Sequence, residues 1–239
     1  MTDPVFENVR TANALADEDP ETLRISVDTK ATVHVGEYCR GGRSRGTEAV
    51  KAWDHDMRPK EKLAPGGVLE PASGNAFLFF TAGNKTSDFL VDGLLCWWNQ
   101  RKSELPEVKK LVINLDNGPE CGGRRTQFLL RMTEFAAYTG LAVRLVYYPP
   151  YHSKYNAIER YWAGLEKSWN GYLLDTFDCV LQRAANFVWK GVRTTVKLLG
   201  SIYEKGVKVI GKERKELEQK LCRSAELPSH DITIYPEMV

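Results

Sequence analysis

Between residues 76 and 169 the apolar residues switch period again and again, and this alternation limits the fold more than any other feature of the chain. Ala76-Phe77-Leu78-Phe79-Phe80-Thr81 is a continuous apolar run that predicts a buried strand. Residues 86–100 then carry Phe89, Leu90, Leu94, Trp97 and Trp98 at helical spacing, with Thr86 or Ser87 as the cap. Residues 111–115 predict a strand. Residues 124–138 predict a helix with Phe128, Met132 and Phe135 on one face and Gly140 at its end. Residues 141–146 predict another strand, stopped by Pro149-Pro150, and residues 155–169 another helix. Two short β segments, 23–28 and 31–35, precede the alternation. Strands first, then strand and helix in turn, imply an α/β layered fold with a mixed central sheet flanked by helices.

The flanks read less regularly. Residues 5–16 are moderately helical and break at Asp17-Glu18-Asp19-Pro20, so residues 1–20 read as a leader, the remnant of an upstream region. Residues 36–75 are rich in Gly, Pro and charge and read as a long connection, with Gly41-Gly42-Arg43-Ser44-Arg45-Gly46 its loosest part. From about residue 170 to 223 the pattern is mixed but helical, and residues 224–239 read as an irregular tail. The domain proper therefore spans 21–223, with a helical C-terminal extension.

At 239 residues and 43% apolar content, the chain can bury one sizeable core. No apolar run reaches the ~18 residues that a membrane span needs, and the acidic start is not that of a signal peptide. Cys39, Cys96, Cys121, Cys179 and Cys222 are scattered with no CxxC pair, as reduced thiols of a cytoplasmic protein are. A net charge of +2 conceals asymmetry. Residues 1–37 hold eight acids and three bases, while residues 180–223 hold eleven bases and four acids. The basic third suits a phosphate backbone, though the alternating run from Lys212 to Glu218 also suits a solvated helix face.

Three acids stand out. Asp28 and Asp116 each end an apolar strand-like run, and Glu159 lies one position off the stripe Ile158, Trp162, Leu165, Trp169. Hard oxygen donors on strand ends and on a helix are how a fold presents one or two divalent cations to a phosphodiester. Each acid also has a plain reading: Asp116-Asn117-Gly118 is an Asx-turn sequence, and Glu159 a polar helix residue. Asp54-His55-Asp56 and Glu70 are further candidate ligands. Gly83-Asn84-Lys85-Thr86 resembles a phosphate loop in outline, but lacks glycine before the lysine and is read as a turn and cap.

Three blocks carry a family resemblance. They are Ile25-Ser26-Val27-Asp28-Thr29-Lys30-Ala31, Leu111-Val112-Ile113-Asn114-Leu115-Asp116-Asn117-Gly118-Pro119-Glu120, and Tyr147-Tyr148-Pro149-Pro150-Tyr151-His152-Ser153-Lys154-Tyr155-Asn156-Ala157-Ile158-Glu159-Arg160. Together they closely resemble the Rhodopirellula-type DDE transposases of bacterial insertion sequences, and more distantly the mariner-like pattern, over residues 21–223. The resemblance implies an RNase H-like fold, with Asp28, Asp116 and Glu159 as catalytic metal-binding acids. It also implies two Mg²⁺ (or Mn²⁺) ions, transposon-end and target DNA as partners, and a homodimer or higher synaptic complex. Asn117, His152, Lys30, Arg43, Lys154 and Arg160, with Arg40 and Arg45, are candidates for supporting or DNA contacts. Ala157 departs from the pattern, which has proline there, so a looser mount for Glu159 is expected. The resemblance also implies an N-terminal helix-turn-helix region, for which only about twenty residues precede the first strand; a catalytically idle remnant that regulates a full-length enzyme is the alternative reading.

Overall fold

The computed structural model describes residues 2–42, 51–53, 61–149 and 152–238. The chain opens on helix α1 (Thr2–Glu18), followed by strands β1 (Thr22–Thr29), β2 (Val33–Val35), β3 (Glu61–Leu69) and β4 (Ala76–Thr81). Helix and strand then alternate: α2 (Ser87–Arg101), β5 (Lys110–Leu115), α3 (Thr126–Thr139), β6 (Ala142–Tyr147) and α4 (Ala157–Ser168). The remainder holds α5 (Phe177–Ala185), β7 (Val188–Trp189), β8 (Val192–Arg193), β9 (Thr195–Leu198), α6 (Gly211–Gln219), β10 (Cys222–Arg223) and β11 (Asp231–Ile234).

The main sheet runs β10-β11-β6-β5-β1-β3-β4-β9, with β2 paired to β3 off that path. Its centre is mixed as expected. β4, β3 and β1 are antiparallel neighbours, while β1, β5 and β6 run parallel. Helices cover both faces. Ile25, Val27, Ile113 and Leu145 pack under α2 and α3, while Leu63, Leu78 and Phe80 pack under α4 and α5. The expected caps are present: the Thr86 hydroxyl accepts the Phe89 N–H at 3.2 Å, and Gly140 closes α3 at φ 71°.

Four expectations on the flanks change. Residues 5–16 lie within a longer helix whose Val9, Ala12 and Ala16 pack on Val112, Val146 and Tyr148, so α1 is part of the sheet's cover. Residues 61–69, expected inside a connection, form a nine-residue strand at the sheet's centre. Pro65-Gly66-Gly67 looks like a turn, but a Cβ on Gly66 would lie 2.3 Å from the Phe79 ring, and one on Gly67 2.7 Å from Trp162. The glycines let β3 be pressed between the two helical layers. Pro65 lies opposite Lys30, whose N–H donates to the Pro65 carbonyl at 3.1 Å, and the Lys30 carbonyl, which proline cannot serve, accepts from Lys85 at 3.3 Å. The region from 170 to 223 is not mainly helical. It includes β9 on the β4 edge and a β7–β8 hairpin whose Lys190 (φ 49°) and Gly191 (φ 82°) form a tight two-residue turn. Finally, the tail adds β11 antiparallel to β6, pinned by a two-pronged Arg144–Asp231 pair at 3.0 and 2.6 Å.

Glu70 is corrected here as well. It is buried at the end of β3 and accepts two bonds from Arg101, at 2.8 and 3.0 Å, so it ties α2 to the sheet and is no metal ligand. Replacing Arg101 by Leu leaves that carboxylate buried without a cation, held only by the neutral donors of Ser73 and Asn75. The expected loss is about 3–5 kcal/mol of stability, read from the denaturant midpoint at neutral pH. Asp54, His55, Asp56, Arg43 and Arg45 lie outside the described residues.

Candidate active site

Backbone register brings the first two acids together. β1 and β5 are parallel, with Ser26 opposite Asn114. Two residues on, Asp28 and Asp116 stand level at the C-terminal ends of neighbouring strands, and such strands lie about 4.8 Å apart. The even step from Ser26 to Asp28 and from Asn114 to Asp116 keeps each acid on its partner's side of the sheet.

Glu159 is brought in by docking. It lies in the first turn of α4, whose Ile158, Tyr161, Trp162 and Leu165 are all buried. Each such side chain contributes roughly 1.5–3 kcal/mol relative to exposure, enough to fix the helix on the sheet. The N-terminus is fixed more tightly still. Asn156 precedes α4 without capping it. Instead the Ser26 hydroxyl, reaching across from β1, accepts the Ile158 N–H at 2.9 Å and donates to Asn156 Oδ1. Asn156 Nδ2 in turn donates to the Val27 carbonyl at 3.3 Å. Thus the strand that carries Asp28 caps the helix that carries Glu159. Ser26 and Asn156 were not singled out from the sequence; their signal was two polar residues in otherwise apolar, motif-bearing blocks. Ala157 takes the first helical position, and the Ser26 bond holds the helix entry where proline would have stiffened it.

The electrostatics of the three acids are coupled. Burial, then the negative charge of Asp116, then that of Glu159, push the Asp28 carboxyl up to about 8. The indole N–H of Trp162 counters this only weakly, because it sits beside Asp28 outside good hydrogen-bond geometry. Asp116 receives the Gly118 N–H at 3.3 Å and the Cys121 thiol at 3.4 Å, and burial holds that thiol in its protonated form. A Cβ on Gly118 would come within 3.0 Å of the Asp116 carboxylate, so glycine keeps that oxygen reachable.

A cleft of about 250 Å³ opens at Asp28 and Asp116, and its walls also include Lys85, Glu120 and Cys121 but not Glu159. Lys85, Glu120 and Cys121 are additions to the sequence reading. Lys85, which the sequence places only in a turn, donates to the Lys30 carbonyl at 3.3 Å from within this wall. A larger hollow of about 480 Å³ lies at the other ends of β5 and β6. Its charged walls are already matched, Arg144 to Asp231 and Lys110 to Asp19, and it has no convergent unpaired acids.

The other candidates separate into kinds. Lys30 and Arg40 both pair with Glu166 on α4, so they brace the helix that bears Glu159. Asn117 accepts the Gly123 N–H at 3.1 Å and braces the loop after Asp116. His152 packs edge-on to Phe6 of α1 and stacks on Tyr155. Lys154 lies over the Tyr155 ring at 5.2 Å, while Arg160 is exposed with no ion pair among the described residues.

Three carboxylates, one of them held largely protonated for want of positive charge, are a donor set suited to a hard divalent cation. Among the described residues, no three His, Cys, Asp or Glu side chains are gathered closely enough to hold an ion by themselves. An open set fits Mg²⁺ and Mn²⁺, which take one or two carboxylates each and fill their coordination with water and substrate phosphate.

The Rhodopirellula transposase DDE domain matches residues 1–236 of the chain. The chain belongs to this family. It is thus a DDE transposase domain, and the match includes α1 and β11 along with the central sheet. Two solved structures are similar in fold. One is the Mos1 transposase paired-end complex with the left transposon end, at TM-score 0.51 and 8% identity, covering 75% of this chain and 51% of that one. The other is the Mos1 mariner paired-end complex with Mn, at TM-score 0.50 and 10% identity, covering 73% and 50%. They show the RNase H-like fold, and the DDE domain spans about half the length of either. No curated protein matches the chain. Among the described residues, no helix is long and apolar enough to cross a membrane.

Proposed function

We propose that this DDE domain cleaves DNA at insertion-sequence ends and joins the freed end to target DNA, using Asp28, Asp116 and Glu159 to hold divalent metal. The observation that supports this reading is the placement of Asp28 and Asp116 by strand register, with Glu159 on the helix docked through Ser26 near enough for its charge to act on Asp28. Asp28 feels the charge of both other acids, and the three together would hold the divalent metal. Bound there, Mg²⁺ or Mn²⁺ supplies charge neutralisation at the attacking and leaving oxygens of an in-line displacement.

The protein's own contribution is position. β1 and β5 hold two carboxylates on rigid backbone, and the buried face of α4 holds the third. Lys85 offers a cation from the cleft wall to a phosphate oxygen, while Leu90 and the buried Cys121 keep the base of the cleft apolar. Water attacks first and releases a 3′-hydroxyl; that hydroxyl then attacks target DNA in the same geometry. Acting on paired ends, the working unit is a homodimer or a higher complex, on DNA in the cytoplasm.

The test is cleavage of an element-end duplex with Mg²⁺ or Mn²⁺. Asp116→Asn and Glu159→Gln should each lower the rate by about 10³-fold or more while the fold, followed by circular dichroism, stays intact. Cleavage at the original rate by either variant would end this reading. Products that are cut but never joined would reassign the domain to a nuclease.

A further inference from the structure

Residues 199–210 form a strap without regular structure that crosses from β9 to α6 beside the cleft. Three side chains, Leu199, Tyr203 and Val209, pin it to the core. Tyr203 is buried against Phe89 and donates to Asp92 at 3.1 Å, and Val209 is buried in the same cluster. Between and beyond these pins the strap is open to solvent: Ile202 is 91% exposed and Ile210 73%.

The strap is laced to both loops that wall the cleft. The Asn84 side chain, one residue before Lys85, donates to the Tyr203 carbonyl at 3.0 Å. On the other side, Arg125 donates to the Val207 carbonyl at 3.2 Å, and the Val209 N–H reaches the Thr126 hydroxyl at 3.2 Å. Arg125 and Thr126 directly follow the loop from Asp116, which closes through Arg125 N–H to the Gly122 carbonyl at 2.7 Å. The strap is thus tied down next to Lys85 on one side and just past the loop from Asp116 on the other, adjoining the cleft without lining it.

Charge identifies the occupant. Residues 197–215 hold six bases and two acids. Lys197, Lys205, Lys208, Arg214 and Lys215 are all exposed, and none makes an ion pair among the described residues. Lysine is depleted from protein–protein interfaces, whereas it is the ordinary partner of phosphate in nucleic-acid complexes. Exposed isoleucines between such lysines suit the sugar edges and base faces of a groove.

We propose that this strap is a track for duplex DNA leaving the carboxylate cleft, with Lys205 and Lys208 on phosphates and Ile202 and Ile210 against the groove. The proposal rests on the DNA-processing reading above and adds the path that the duplex takes. Lys85 in the cleft wall is the inner end of the path, and the strap's lysines continue it outward.

The test is duplex binding by the whole chain, with affinity measured against salt concentration in the presence of Ca²⁺, which takes oxygen ligands as Mg²⁺ does. Lys205→Ala combined with Lys208→Ala should weaken binding equally on every sequence and make the slope of log affinity against log salt shallower by about 2. Mn²⁺ binding by calorimetry should be unchanged in the same variant. If the unmodified chain binds duplex and the variant keeps both its affinity and its salt slope, the track is wrong while the DNA reading stands. If the unmodified chain binds no duplex at all, both fall together. If the variant loses self-association in sedimentation with DNA affinity unchanged, the strap is instead an interface between copies.

Discussion

Asp28→Asn should abolish DNA cleavage and at the same time make the metal-free protein more stable at pH 8. The two effects have one cause. Folding buries Asp28 among two other carboxylates and raises its pKa from 3.8 to about 8. Between those values the folded state keeps a proton that the unfolded state has released. Stability therefore falls as pH rises from about 4 to about 8, and levels off above the folded pKa. This is opposite in sign to the usual paired carboxylate, whose stabilisation is lost in acid. A shift of this size corresponds to a few kcal/mol at pH 8, after allowance for the partial exposure of the side chain. Asparagine carries no charge to bury, so the variant should lose the downward slope between pH 5 and 8. For a chain of this length its metal-free melting temperature at pH 8 should rise by about 2–4 °C per kcal/mol recovered.

Divalent cation should reverse the comparison. An ion that binds only the folded protein at a hundred times its dissociation constant adds about 2.7 kcal/mol of stability. The unmodified domain should thus gain several degrees with Mn²⁺ at pH 8, and the Asn variant far less. Because binding requires Asp28 to release its proton, Mn²⁺ affinity should rise about tenfold per pH unit from 6 towards 8 and then flatten. A melting temperature that is flat from pH 5 to 8 in the unmodified protein would refute the raised pKa of Asp28, and an Asn variant that responds equally to Mn²⁺ would remove Asp28 from the metal site. Acid loss that merely destabilises the protein would show the reverse sign at pH 8.

What could be read from the chain, and what could not, follows from the range of the interactions. β4, β5, β6 and the helices α2, α3 and α4 are set by their own periodicity, because each buries a face determined by neighbouring residues in sequence. The placement of the three acids, two at strand ends and one in the first turn of α4, was legible because strand ends and motif blocks mark them locally. β3 was not, because Pro65-Gly66-Gly67 has turn chemistry and becomes a strand only where Phe79 and Trp162 press on it from opposite faces. β9 and β11 are four-residue strands that exist through pairing with β4 and β6, far away in sequence. Glu70 looked like a free acid until Arg101, thirty-one residues on, was placed beside it. Lys85 was hidden differently. Its local sequence gave a correct answer, the turn before α2, and its position in the cleft wall depends on the loop after Asp116.

Ser26 is the residue where that long range matters most for function, and Ser26→Ala should reduce activity out of proportion to the atom removed. The hydroxyl is fully buried and serves two partners on another element, the Ile158 N–H and Asn156 Oδ1. Its loss leaves a buried donor and a buried acceptor unsatisfied, which costs about 1–3 kcal/mol. The rest of α4 stays anchored by Tyr161, Trp162 and Leu165, so the damage is confined to the first turn. That turn carries Glu159. With no side-chain cap from Asn156 and no proline at Ala157 to preset the entry, only the Asn156 bond to the Val27 carbonyl and the buried Ile158 remain to hold it. A displacement of about 1 Å at a metal-binding acid is enough to lower a rate by up to about 100-fold. Mn²⁺ affinity should fall with the rate, since the metal that Glu159 helps to hold is held less well. Ser26→Thr, which keeps the hydroxyl, should recover a substantial part of both. A merely structural contact would give the same fall in melting temperature with unchanged Mn²⁺ affinity and unchanged cleavage at a temperature where both proteins are folded. Such an outcome would sever Asp28's strand from Glu159's position and leave the alignment of the third acid to the buried face of α4 alone.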